Sequence, residues 1–159
     1  MIREVTLEEL VSQASRRSDL LLFLDTSALL AIGSGRPSLE NLLETAEFKG
    51  IIVITDSVKR ELEQLLQARG SSNSIKAKVA LSLLESSETV FYLVKPSNTH
   101  YSSADDEIYM KALNLARRGY RIAVATLDKG LRRRLRQSGI AAIFLRRSEN
   151  RFELEGYVE

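Results

Sequence analysis

The chain has 159 residues, 44% of them hydrophobic, which is enough for one domain with a real core and too few for two comfortable ones. It contains no cysteine, which excludes disulfides, thiolate metal sites and cysteine nucleophiles and fits a cytoplasmic protein. The formal net charge is only +2 but lopsided: residues 111–151 hold 12 Lys or Arg against two acids, whereas residues 1–110 hold 11 against 16.

The first segment, "MIREVTLEELVSQASRRSD", has neither a long apolar run nor a small-residue cleavage site, so no export signal and no membrane span are expected. Thr6 and Glu9 form a capping-box pattern that predicts an extra helix over about the first 17 residues. Residues 1–19 are thus a helical extension, and residues 20–159 a single domain. Short apolar runs rich in β-branched residues follow at 20–24, 51–54, 90–94, 122–125 and 141–145, as for strands covered on both faces. Between them lie segments of helical period. Leu39, Leu42, Leu43 and Ala46 mark one inward face, and Val58, Leu62, Leu65 and Leu66 the next. Ile75, Val79, Leu83 and Leu84 mark a third, Ile108, Ala112 and Leu115 a fourth, and Leu131 and Leu135 the last. "RGSSNS", residues 69–74, reads as a turn between helices. The alternation predicts an α/β fold, a three-layer sandwich with a central parallel sheet of about five strands.

In an open parallel sheet, ligands gather beyond the carboxyl ends of the strands, where strand order reverses. Four acids fall near that rim: Asp25 after the first run, Glu61 in the helix after the second, Asp105 at the start of the helix before the fourth, and Asp128 after the fourth. Each alone also suits an ordinary role, Asp25, Asp105 and Asp128 as helix N-caps and Glu61 as a solvated helix residue. Converging together they would repel, and a divalent cation resolves the conflict. Oxygen donors with no cysteine or nearby histidine point to Mg2+ or Mn2+ rather than zinc. Such a centre suits phosphodiester hydrolysis, activating water and neutralising the charge that develops at phosphorus.

The stretches "FLDTSALL", "ITDSVKRELEQL", "ADDEIYMKALNLA" and "AVATLDKGLRRRL" carry a resemblance to the PIN-domain ribonucleases over roughly residues 20–146. The resemblance implies a PIN-like fold and a metal-dependent endoribonuclease, a hydrolase of single-stranded RNA, with Asp25, Glu61, Asp105 and Asp128 as both catalytic set and metal ligands. Thr126 matches the hydroxyl residue with which the family orients its site, and Thr26, Ser27 and Asp106 stand beside the ligands. Spacing leaves Asp105 and Asp106 open as the direct ligand; Asp105 is chosen because Ile108 and Ala112 follow it on the inward face. "SSADDEIYMKA" and "ATLDKGLRRRLRQSGIAAIFL" look most like the ribosomal-RNA processing nucleases of the small-subunit processome, with the toxins of toxin–antitoxin pairs as the next branch. Single-stranded or structured precursor RNA, a pre-ribosome or an antitoxin are the partners implied, and small domains of this family often pair as homodimers. Gly130 stands where many relatives have another acid, and the zinc-binding cysteines of some ribosome-maturation relatives are absent.

The basic block gives Arg132, Arg133, Arg134 and Arg136 on a short helix that starts at the catalytic rim, with Arg146 and Arg147 extending the surface toward an RNA backbone. Tyr101 offers a ring on which a base can stack. His100, the only histidine, lies in a loop without a Ser or Cys partner and reads as a surface residue. Gly33 and Gly35 lack the spacing of a nucleotide loop. Two rivals remain. One is a catalytically idle RNA-binding or assembly subunit. The other, a receiver-like phosphoacceptor, needs an Asp after the third run, where the chain has Lys95. Abundant Arg and Glu fit a heat-adapted source.

Overall fold

Five apolar runs become the middle of one sheet, and two short polar segments complete its edges. The structure, a computed structural model, describes residues 1–14, 19–35 and 37–156. Among them the strands are β1 (Ile2–Val5), β2 (Leu20–Leu24), β3 (Gly50–Thr55), β4 (Phe91–Val94), β5 (Arg121–Ala125), β6 (Ala141–Arg146) and β7 (Arg151–Glu155). The helices are α1 (Leu7–Gln13), α2 (Thr26–Gly33), α3 (Leu39–Thr45), α4 (Asp56–Gln67), α5 (Ser72–Ser86), α6 (Ala104–Arg117) and α7 (Lys129–Gln137). The sheet order is β1-β4-β3-β2-β5-β6-β7, parallel everywhere except for β7, which runs antiparallel to β6.

The α/β expectation holds, but the sheet has seven strands, not five. β1 pairs with β4 and β7 with β6, one at each edge. Neither makes a continuous apolar run, because an edge strand is covered on one side only. In "IREV" only Val5 is buried, and in "RFELE" only Phe152. The helix expected over the first 17 residues is shorter. It begins after Thr6, whose hydroxyl accepts the Glu9 N–H at 3.1 Å while the Glu9 carboxylate accepts the Thr6 N–H at 3.2 Å. It ends at Gln13; residues 15–18 lie outside the described residues.

β2, "LLLFL", is buried at every position, and each such side chain contributes about 1.5–3 kcal/mol of apolar transfer. The α5 face differs from the one expected. Ile75 and Val79 are exposed, and Ala77, Ala80, Leu81 and Leu84 point inward. The reason is a close approach to α2: a Cβ on Gly33 would meet the Lys76 carbonyl oxygen at 2.3 Å, so the seam takes small residues. Among the described residues no helix is long and apolar enough to cross a membrane.

Strand order reverses between β2 and β5, since β3 and β4 continue on one side and β6 on the other. Register sets Leu24 beside Ala125, which brings Asp25 and Thr126, the next residues, to the rim together. Helix α6 packs on β3 and β5 and touches α4 and α7.

Candidate active site

Asp25 leaves β2 and caps α2. Its Oδ1 accepts the Thr26 N–H at 2.8 Å, and its Oδ2 accepts the Thr126 hydroxyl at 2.7 Å and the Ser27 hydroxyl at 3.0 Å. The Ser27 oxygen in turn accepts the Leu127 N–H at 2.9 Å, and the Thr126 oxygen accepts the Asp128 N–H at 3.0 Å. Two chain ends a hundred residues apart are thus pinned through three short side chains. Asp25 is 3% exposed, and burial pushes its carboxyl above the ordinary range despite these donors.

Asp128 caps α7, its Oδ1 accepting the Leu131 N–H at 2.8 Å. For Asp25 and Asp128 the capping role and the site role therefore coincide. Asp105 is not a cap, contrary to the ordinary role open to it: Ser103 caps α6, and Asp105 is the helix's second residue. Glu61 stands on the second turn of α4.

The four carboxylates share one cleft of about 250 Å3, lined by Asp25, Thr26, Ser27, Glu61, Ser103, Ala104, Asp105 and Asp128. Among the described residues no cationic side chain is in the lining. Desolvation, then the charges of Asp25, Asp128 and Glu61, push the Asp105 carboxyl up to about 6. Glu61 is raised by desolvation and by Asp25. Asp106 points elsewhere. It accepts the Ser102 hydroxyl and pairs with Arg134 at 2.7 Å, and both hold its carboxyl below the usual range.

Hard oxygen donors, repelling one another and lacking a counter-charge, suit a hard divalent cation. The buried Thr26 hydroxyl adds another oxygen at the same wall, beside the Glu61 carboxylate. The acids face the cleft without closing on one point: among the described residues no three acidic or histidine side chains form a ready ion cage. Side-chain rotation would have to bring them together.

The arginines expected to meet RNA are mostly engaged within the protein. Arg132 and Arg136 both pair with Glu155, and Arg132 lies over the Phe144 ring at 3.7 Å. Arg134 pairs with Asp106 and lies over Tyr109 at 4.1 Å, and Arg146 pairs with Glu153. Arg133 and Arg147 are exposed and have no carboxylate partner among the described residues. The same holds for exposed Lys129, one turn before Arg133, which sequence reasoning passed over although it directly follows Asp128. Tyr101 is half-buried with the Lys111 ammonium 4.6 Å from its ring centre, and His100 is an exposed loop residue.

Sequence reasoning also missed Glu107 and Lys111. They are 3% and 5% exposed and paired at 3.2 Å, and Glu107 accepts the Ser57 N–H of α4 at 3.0 Å. Their i,i+4 spacing signals a pair, but not its burial.

The family model for the PIN like domain matches residues 22–148. No curated protein matches the chain. Among solved structures, the PIN domain endonuclease Utp24 superposes with a TM-score of 0.61 at 24% identity, over 87% of this chain and 93% of that one. The reversal point between β2 and β5, the four acids at it and the family match over most of the chain agree, and the chain belongs to the PIN-like domain family.

Proposed function

We propose that the protein is an endoribonuclease that uses Mg2+ or Mn2+ to hydrolyse phosphodiester bonds of single-stranded RNA. The observation that carries this reading is the convergence of Asp25, Glu61, Asp105 and Asp128, from four separate elements, on one cleft in whose lining no described residue is cationic. These four residues would hold the cation, with Thr26 as a neutral oxygen donor. When bound, the ion supplies Lewis acidity for hydrolysis and offsets the charge that develops on the phosphate.

The protein's own part is orientation. Thr126 and Ser27 fix the direction in which Asp25 presents its remaining lone pairs, so Asp25 stays in place while the other acids rotate toward it. Asp105 holds a proton up to about pH 6, so below that pH it would have to release the proton to serve as a ligand. Lys129 and Arg133, which pair with no carboxylate among the described residues, are exposed cations placed to meet the phosphate backbone beside Asp128. The motif resemblance to ribosomal-RNA processing nucleases makes a single-stranded segment of a precursor RNA the substrate to try first, and the fold shared with the Utp24 endonuclease accords with that choice.

Calorimetric titration of Mn2+, with cleavage of a labelled single-stranded RNA measured alongside, tests the proposal in the intact protein and in Asp25→Asn. Saturable uptake and cleavage, both lost in Asp25→Asn while RNA binding persists, are expected. An intact protein that neither takes up Mn2+ nor cleaves would refute it and leave an RNA-binding assembly subunit.

A further inference from the structure

The run Asp105-Asp106-Glu107 faces three ways at the head of α6. Asp105 lines the cleft, Asp106 ties α6 to Arg134 of α7, and Glu107 ties it to the first turn of α4. The helices on either side carry two of the other three acids: Glu61 lies on α4, one turn beyond Ser57, and Asp128 caps α7. We propose that Glu107, with Lys111, is a positioning pair that sets the spacing of α4 and α6, and through it the distance between Glu61 and Asp105. The proposal rests on the cation-binding reading of the cleft given above.

The geometry favours this over a purely stabilising role. A buried ion pair is a weak source of stability, because desolvating two charges consumes most of what their attraction returns, and apolar pairs of similar volume often serve as well. Glu107 and Lys111 are nonetheless almost fully buried, and the pair does something an apolar pair cannot. The free amides at the start of α4 have two acceptors. Thr55, from β3, takes the Val58 N–H at 3.4 Å, and Glu107, fifty residues on, takes the Ser57 N–H at 3.0 Å. The second contact joins two helices at one fixed register. Lys111 completes it by supplying the counter-charge from the next turn of α6, itself held under the Tyr101 ring. Removing the Ser57 acceptor frees α4 to slide against α6, and a cation that needs both Glu61 and Asp105 would register the slack.

Three proteins test this: wild type, Glu107→Leu/Lys111→Met, and Glu107→Gln/Lys111→Met, which restores an uncharged acceptor for the Ser57 N–H. The chain has no cysteine, so each also takes a nitroxide pair at Gln64→Cys and Met110→Cys, on exposed positions of α4 and α6. The Leu/Met variant is expected to melt as the wild type does, to bind Mn2+ about 10–100-fold more weakly, and to show a broadened nitroxide distance distribution. The Gln/Met variant is expected to recover the narrow distribution and most of the affinity. Wild-type Mn2+ affinity and a narrow distribution in Leu/Met would overturn the proposal, and so would its failure to fold, which would make the pair a stability element. If the wild type takes up no Mn2+, the cation reading fails by itself, and the nitroxide distances alone then decide whether the pair sets the helix spacing.

Discussion

Replacing Asp105 by Asn should stabilise the metal-free protein at neutral pH, although it removes a residue from the centre of the cleft. The ordinary carboxyl value is 3.8, and the folded site raises Asp105 to about 6. Between these values the folded chain retains a proton that the unfolded chain has released, so the unfolded state binds fewer protons and stability falls as pH rises through this window. Wholly sealed from water, a carboxyl moved that far would carry about 3 kcal/mol. The cleft is open to solvent and Asp105 is partly exposed, so about 1–2 kcal/mol is expected to remain at pH 7. Asn keeps the shape without the charge. For a domain of this size the gain corresponds to a melting shift of about 2–8 °C. Thermal and urea unfolding in EDTA at pH 4, 5, 6 and 7 would read it. The Asn variant should match the wild type at pH 4 and gain on it steadily up to pH 7. Mn2+ at a hundred times its Kd should then stabilise the wild type by about 2.7 kcal/mol and reverse the order. A variant less stable than the wild type at pH 7 without metal, or a difference that does not change with pH, would refute the claim that desolvation and the neighbouring acids penalise the Asp105 carboxylate in the cleft.

Two further outcomes follow from the packing and the surface. Lys129→Ala/Arg133→Ala should weaken RNA binding and reduce the slope of log affinity against log salt by about 1.4, whereas Arg136→Ala, whose guanidinium is spent on Glu155, should leave that slope unchanged in filter-binding titrations. Gly33→Ala should destabilise the protein by about 1–3 kcal/mol in urea, because its Cβ would sit 2.3 Å from the Lys76 carbonyl oxygen; a rise in the midpoint, as helix propensity alone favours, would mean that α2 and α5 are not in close approach.

How much of this was legible in the sequence depended on whether its signal was local. The central strands were, since burial on both faces forces continuous apolar runs such as "LLLFL". The edge strands were not: "IREV" and "RFELE" bury one residue each and look like surface. The α5 face was misjudged because Ile75 and Val79 keep the helical spacing, while the seam that decides the matter depends on a glycine forty residues earlier, in α2. Asp25 and Thr126 could be placed because they follow strand ends directly, and Asp128 because it lies two residues further on. The fate of the arginines could not, because the carboxylates that engage them, Asp106 and Glu155, lie on other elements. Glu107 and Lys111 escaped for a related reason: charged residues in a helix are surface residues by default, and their partners, the Ser57 N–H of α4 and the Tyr101 ring, lie off the helix.

The hydrogen bond from Thr126 to Asp25 spans a hundred and one residues of chain, and this sets when the cleft can exist during synthesis. A chain grown only to residue 119 already carries Asp25, Glu61 and Asp105, yet β5 is missing, and with it the strand that closes one side of β2. Asp25 then has no hydroxyl from Thr126 to aim it, and Asp128 does not exist. Such long-range pairing is slow to form and late to be secured. On the proposed ribonuclease reading, a nascent or truncated chain is therefore expected to be inert toward the messenger from which it is being translated, with competence gained only after β5 has docked against β2.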